Sequence, residues 1–136
     1  MKRLARYLAA HPRLVYLFPF QKVKPGGIDV FVDTDFAGCK ATRRSTSGGL
    51  AMFGAHCVKH WSKTQSTVCL SSGEAELRGI GEGLAQALGL QSIARDLGMQ
   101  WSIYLHSDAT AAIGIARRRG MAVSYTHLTL PTILLV

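Results

Sequence analysis

The chain has 136 residues, 48% of them hydrophobic and 18% charged, and its net charge is +8. That length suits one domain with a real core, and the composition excludes a disordered polypeptide. The basic balance points to an anionic partner, nucleic acid first and an acidic membrane surface second.

Residues 1–18 alternate basic and apolar positions at helical spacing, through Leu4, Tyr7 and Leu8 and then Leu14 and Leu17. Pro12 interrupts the pattern, which predicts a short basic helix followed by an extended piece. "FPFQKVKPGG" is a linker punctuated by Pro25-Gly26-Gly27. "IDVFVD" then predicts a strand, "CKATRRSTSGG" a basic, hydroxyl-rich loop, and "LAMFGA" and "HCVKHWSKT" two further strands joined at Gly54-Ala55.

Ser71 with Glu74 three positions on forms a capping box, opening a helix whose Leu77, Ile80, Leu84 and Leu88 recur to about Leu97. Gly73, Gly79, Gly81, Gly83 and Gly89 weaken that helix by up to about 1 kcal/mol each, so it must pack closely against something flat. "WSIYLHSD" predicts a fourth strand, and "ATAAIGIARRRG" a helix closed by a basic turn and Gly120. The order β-β-β-α-β-α reads as an antiparallel meander. A crossover then sets the fourth strand parallel to the first.

The last fourteen residues, "VSYTHLTLPTILLV", carry no Asp, Glu, Lys or Arg, whereas the preceding 122 carry all twenty-four. "VSYTHLTLPT" also resembles the translated frame of a common sequencing-library adapter. We expect native sequence to end near Met121 or Ala122, leaving 123–136 as a non-native tail; a genuine apolar terminal strand is the alternative.

Three acids stand at special places among these elements. Asp33 ends the first strand, Asp108 ends the fourth, and Glu76 lies in the first turn of the capped helix. Parallel neighbouring strands deliver Asp33 and Asp108 side by side at their carboxyl ends, where open α/β sheets place ligands. Glu76 shares a helical stripe with Ile80, Gly83 and Ala87, which turns it toward the sheet. Three converging carboxylates repel unless a cation sits among them, and hard oxygen donors suit Mg²⁺ or Mn²⁺. Two such ions bind a scissile phosphate, activate water and stabilise the leaving oxygen.

The pieces "DTDFAG", "RRSTSGG", "HWSKTQSTVCLSSGEAEL" and "SDATAAI", in that order, resemble the ribonuclease H domain of copia-type retrotransposon Pol polyproteins over residues 28–120. The opening "RLARYLAAHPRLVYLF" is similar to the segment joining reverse transcriptase to that domain. The resemblance implies 1–27 as connection segment and 28–122 as an incomplete ribonuclease H-like α/β domain, which leaves 123–136 as the tail read above. It implies metal-assisted endonucleolytic cleavage of the RNA strand of RNA–DNA hybrids, with Asp33, Glu76 and Asp108 as catalytic metal ligands and Asp35 in a supporting place. It also implies an adjoining reverse transcriptase domain as partner. The family carries a fourth carboxylate beside a fifth strand. Here we expect that segment to be missing or replaced by the tail. The rival reading is an inactive fragment that only binds nucleic acid.

Arg43, Arg44, Ser45, Thr46 and Ser47 have the composition of a phosphate-contacting loop, as do the arginines of "ARRRG". For both clusters plain solvation is the alternative. The "HCVKH" run with Cys39 and Cys69 invites a zinc module, but His56 and His60 share a strand face that Cys57 leaves. His106, two residues before Asp108, is expected to be solvated, and Trp61 and Trp101 to be core residues. Three cysteines without disulfide spacing fit a reducing, intracellular compartment. Charges inside the first apolar stretch argue against a secretory leader, and no apolar run reaches the roughly 18 residues that span a bilayer, so no membrane partner is expected.

Overall fold

The computed structural model of the chain describes residues 2–13, 15–22, 25–110, 114 and 133–135. Its elements are α1 (Lys2–Ala10), β1 (Gly27–Asp35), β2 (Thr46–Phe53), β3 (His56–Thr64), α2 (Ser72–Asp96), β4 (Ser102–His106) and β5 (Ile133–Leu135). The strands form one mixed sheet in the order β3-β2-β1-β4-β5. β1, β2 and β3 pair antiparallel as a meander, and β4 runs parallel to β1, as the element order predicts. The helix expected over 109–120, with its arginine cluster, falls outside the described residues apart from its first positions and Gly114.

β1 alternates strictly. Ile28, Val30 and Val32 are buried on one face, while Asp29, Phe31 and Asp33 take the other. α2 covers the first face. Its small residues Ala75, Gly79, Gly83 and Ala87 recur every fourth position and are all buried. Gly79 meets Thr34, and Gly83 meets Val32 and Leu105, so these two glycines bring helix and sheet close. Ile80, Ile103, Leu105, Ala51 and Ala109 complete the core, with Trp61 and Trp101 packed against it.

Both ends of α2 are sealed. The Ser71 hydroxyl accepts from the Glu74 N–H at 3.2 Å, while the Glu74 carboxylate reaches back to the Leu70 N–H at 2.9 Å. At the other end Gly98, at φ +74°, donates to the Arg95 carbonyl and Met99 to that of Ala94, a paired closure that satisfies otherwise orphaned carbonyls.

One expectation changes here. The "RRSTSGG" segment is not loop throughout, because β2 already begins at Thr46 and pairs with Asp35 across β1. At the edge beside β4, where the sequence reading has the fifth strand missing or replaced by the tail, Ile133–Leu135 pairs parallel to β4 as β5. β4 presents backbone groups along that edge that need partners, and β5 supplies them.

The N-terminal arm lies on the β2–β3 hairpin. Gln21 donates from Nε2 to the Phe53 carbonyl at 3.1 Å and accepts at Oε1 from the Ala55 N–H at 3.0 Å. His56 Nε2 donates to the Pro19 carbonyl at 2.8 Å, and the Tyr16 hydroxyl meets His60 Nε2 at 3.3 Å. The two histidines of "HCVKH" thus hold the arm. Helix α1 itself buries none of its residues.

Candidate active site at the carboxyl ends of β1 and β4

The parallel register sets Val30 beside Leu105 and Phe31 beside His106, so the chain positions that follow, Asp33 and Asp108, emerge at one sheet edge. Both are exposed. They line a single open cavity of about 380 Å³ together with Phe31, Val32, His106 and Ser107. One Asp33 oxygen, Oδ1, accepts from the Thr34 N–H at 2.8 Å, which fixes the carboxylate and leaves its second oxygen for another partner. Asp108 stands two residues beyond the end of β4, its carbonyl accepting from the Thr110 N–H at 3.0 Å.

Glu76 does not line this cavity. It is half-buried on the α2 stripe that runs through Gly79, Ile80 and Gly83, on the flank of β1 that carries Val32 and Thr34. Strand alternation gives Asp33 to the opposite flank. Among the described residues no three of His, Cys, Asp and Glu stand close enough to share a metal ion. The structure therefore joins two of the three expected ligands and leaves the third apart. Asp35 is exposed, and its carboxylate lies against Gly38 rather than in the cavity.

His106 is not merely solvated. Its Nε2 donates to Asp29 Oδ1 at 2.8 Å, and its ring stacks on Phe31 with centroids 4.5 Å apart and planes 13° from parallel. Asp29, Phe31 and Asp33 alternate along one face of β1, and His106 enters from the neighbouring strand. No single stretch of sequence contains this group. Only the β1–β4 register reveals it.

The phosphate-contacting loop is divided by burial. Arg43 and Arg44 are exposed, with Arg43 held at φ +55° by its N–H on the Cys39 carbonyl at 2.7 Å. Ser45 and Ser47 are buried, which removes them from any surface contact. The Ser45 hydroxyl accepts from the Ala37 N–H at 3.1 Å, and that of Ser47 from Gln65 Nε2 at 2.8 Å. Their polarity closes the β1–β2 turn and anchors the chain leading into α2. Thr46 is half-buried.

No family model matches the sequence. The chain is 37% identical over 90 residues to secreted RxLR effector protein 161 of Plasmopara viticola, which covers 66% of this chain and 62% of that protein. It is 32% identical over 101 residues to the retrovirus-related Pol polyprotein from transposon RE1 of Arabidopsis thaliana, covering 74% of this chain and 7% of the polyprotein. The chain thus spans less than two thirds of either relative. Among solved structures, a foamy viral protease-reverse transcriptase in complex with dsDNA matches all of this chain and 29% of its own, with a TM-score of 0.58 at 14% identity. That likeness concerns the fold alone.

Proposed function

We propose that this chain, a ribonuclease H-like domain of the copia-type Pol polyprotein group, hydrolyses the RNA strand of RNA–DNA hybrids inside the cell, beside a reverse transcriptase domain. The observation that carries the reading is the pair of exposed carboxylates, Asp33 and Asp108, at the ends of adjacent parallel strands in one open cavity. Two uncompensated carboxylates repel a phosphodiester, so the pair has use for a nucleic acid only with a cation between them. Their hard oxygens fit Mg²⁺ or Mn²⁺.

When bound there, such a cation, alone or as a pair of ions, supplies charge to the phosphate and acidity to an attacking water. The protein's own part is placement. Asp33, fixed by the Thr34 N–H, and Asp108, two residues past the end of β4, would hold the cation against a site open enough for a polymer. The net charge of +8 draws the anionic duplex to the domain, and exposed Arg43 and Arg44 stand on the loop after β1. Three free thiols are in keeping with a reducing compartment.

The position of Glu76 favours a second reading, a domain that binds nucleic acid without cutting it. A labelled RNA–DNA hybrid incubated with Mg²⁺ separates the two. Cleavage by the wild type that disappears in Asp33→Asn and in Asp108→Asn supports the nuclease. Binding without any cleavage supports the second reading.

A further inference from the structure

We infer that the basic face of α1, continued by Arg13, grips the phosphate backbone of the hybrid away from the acid pair. The inference rests on the reading of the chain as a hybrid-binding nuclease and names a surface that holds its substrate.

The distribution of charge carries it first. Lys2, Arg3, Arg6, Arg13, Lys22 and Lys24 all precede the first acid, Asp29. Six cations and no acid give the first 28 residues +6 of the net +8. The rest of the chain is close to balanced, with ten cations against eight acids. A bias this local points to an anionic partner for the segment itself, not for the domain at large.

The second observation is that these cations oppose the helix that bears them. Lys2 and Arg3 stand at the start of α1, where the helix dipole disfavours positive charge, and the first turn has no acid to offset them. Arg6 follows Lys2 by four positions and Arg3 by three, spacings at which like charges repel. Lys2, Arg3, Arg6 and Arg13 are exposed, and among the described residues no carboxylate forms an ion pair with any of them. Charges that weaken their own helix and gain nothing inside the chain are accounted for by an anion outside it.

Helical spacing also separates the two kinds of side chain. Leu4, Tyr7 and Leu8 share one side of α1, and Lys2, Arg3 and Arg6 the other. A protein neighbour can cover the apolar side while the basic side stays open. The arm that follows is tied to the β2–β3 hairpin by Gln21 and by His56 on the Pro19 carbonyl. What the cations hold is therefore held to the domain that carries Asp33 and Asp108.

The occupant follows from this chemistry. Arginine and lysine on a solvated helix face meet phosphate oxygens without reading bases, and a paired hybrid presents a continuous row of them. The contact needs no uncovered base. An anionic membrane offers the same charge, but attachment there scales with the apolar area buried, and α1 has only three large apolar side chains to insert.

Fluorescence anisotropy of a labelled RNA–DNA hybrid, titrated at several salt concentrations, tests the grip without depending on cleavage. The triple variant Arg3→Gln, Arg6→Gln, Arg13→Gln should bind at least about tenfold more weakly at low salt, with a salt slope shallower by about three. The triple variant Lys40→Gln, Lys59→Gln, Arg95→Gln removes the same charge from exposed positions elsewhere and should lose far less. Gln matches Arg in helix propensity and α1 buries none of its residues, so the first variant should melt close to the wild type. Equal losses in the two variants would overturn the inference. So would a wild type that binds no hybrid, or that prefers anionic phosphatidylserine vesicles to it. A hybrid held through the three arginines but never cut would keep the grip and remove the nuclease reading.

Discussion

Gly83 of α2 rests directly on Val32 of β1, where a side-chain carbon on the helix would collide with the valine methyl. Val32 is buried and β-branched, with little freedom to turn aside. Gly83→Ala should therefore destabilise the fold by about 1–3 kcal/mol, as overpacking does. Gly81 has nothing within 4 Å of the same position. Gly81→Ala should stabilise by up to about 1 kcal/mol, through helix propensity and a less flexible unfolded chain. Urea unfolding midpoints of the two variants, shifting in opposite directions, check the pair.

Gln65 joins β2, α2 and the loop between β3 and α2 from a buried position. Its Nε2 donates to the Ser47 hydroxyl at 2.8 Å and the Ala75 carbonyl at 2.9 Å, and its Oε1 accepts from the Cys69 thiol at 2.9 Å. Gln65→Leu strands these groups away from water and should cost about 1–3 kcal/mol. Chemical denaturation measures it.

Glu74 gives the capped helix a pH dependence. The Leu70 N–H first, and then the Arg78 guanidinium, hold its carboxyl below the ordinary carboxylate range. A carboxylate lowered on folding contributes stability that is complete above its unfolded value and lost as pH falls through its folded one. Glu74→Gln should thus be less stable than wild type at neutral pH, and the gap should close in acid. Melting temperatures of both proteins across that range test the sign.

Cys39 should be the reactive thiol. Chiefly the Thr42 hydroxyl, then the backbone N–H groups of Thr42 and Ala41, hold it below its ordinary value, and it is half-buried, whereas Cys69 is buried. Brief iodoacetamide treatment of the native protein, read by peptide mass spectrometry, should label Cys39 ahead of Cys69. The reverse order would contradict the loop geometry.

Much of this was legible along the chain because it depends on local rules. The period of two in "IDVFVD", the Ser71–Glu74 cap and the helical recurrence of Leu77, Ile80, Leu84 and Leu88 each name an element. The same period also implies that Asp33 turns away from whatever covers Val30 and Val32, a consequence that placing three carboxylates on one edge overlooks. Ser45 and Ser47 misled for a different reason. A hydroxyl in a basic loop and one that caps a turn look alike until the start of β2 is known. The Asp29–His106–Phe31 group needed pairing between strands over seventy residues apart, which no window contains.

In the proposed reaction Asp33 and Asp108 act together on the outer side of the sheet. Crystals soaked in Mn²⁺ and measured at the manganese absorption edge test this most directly. An anomalous peak touching both carboxylates in the Phe31–His106 cavity, absent from Asp33→Asn crystals, is the predicted result. A peak held by Glu76 on the α2 side, with Asp33 turned away from it, would contradict the account.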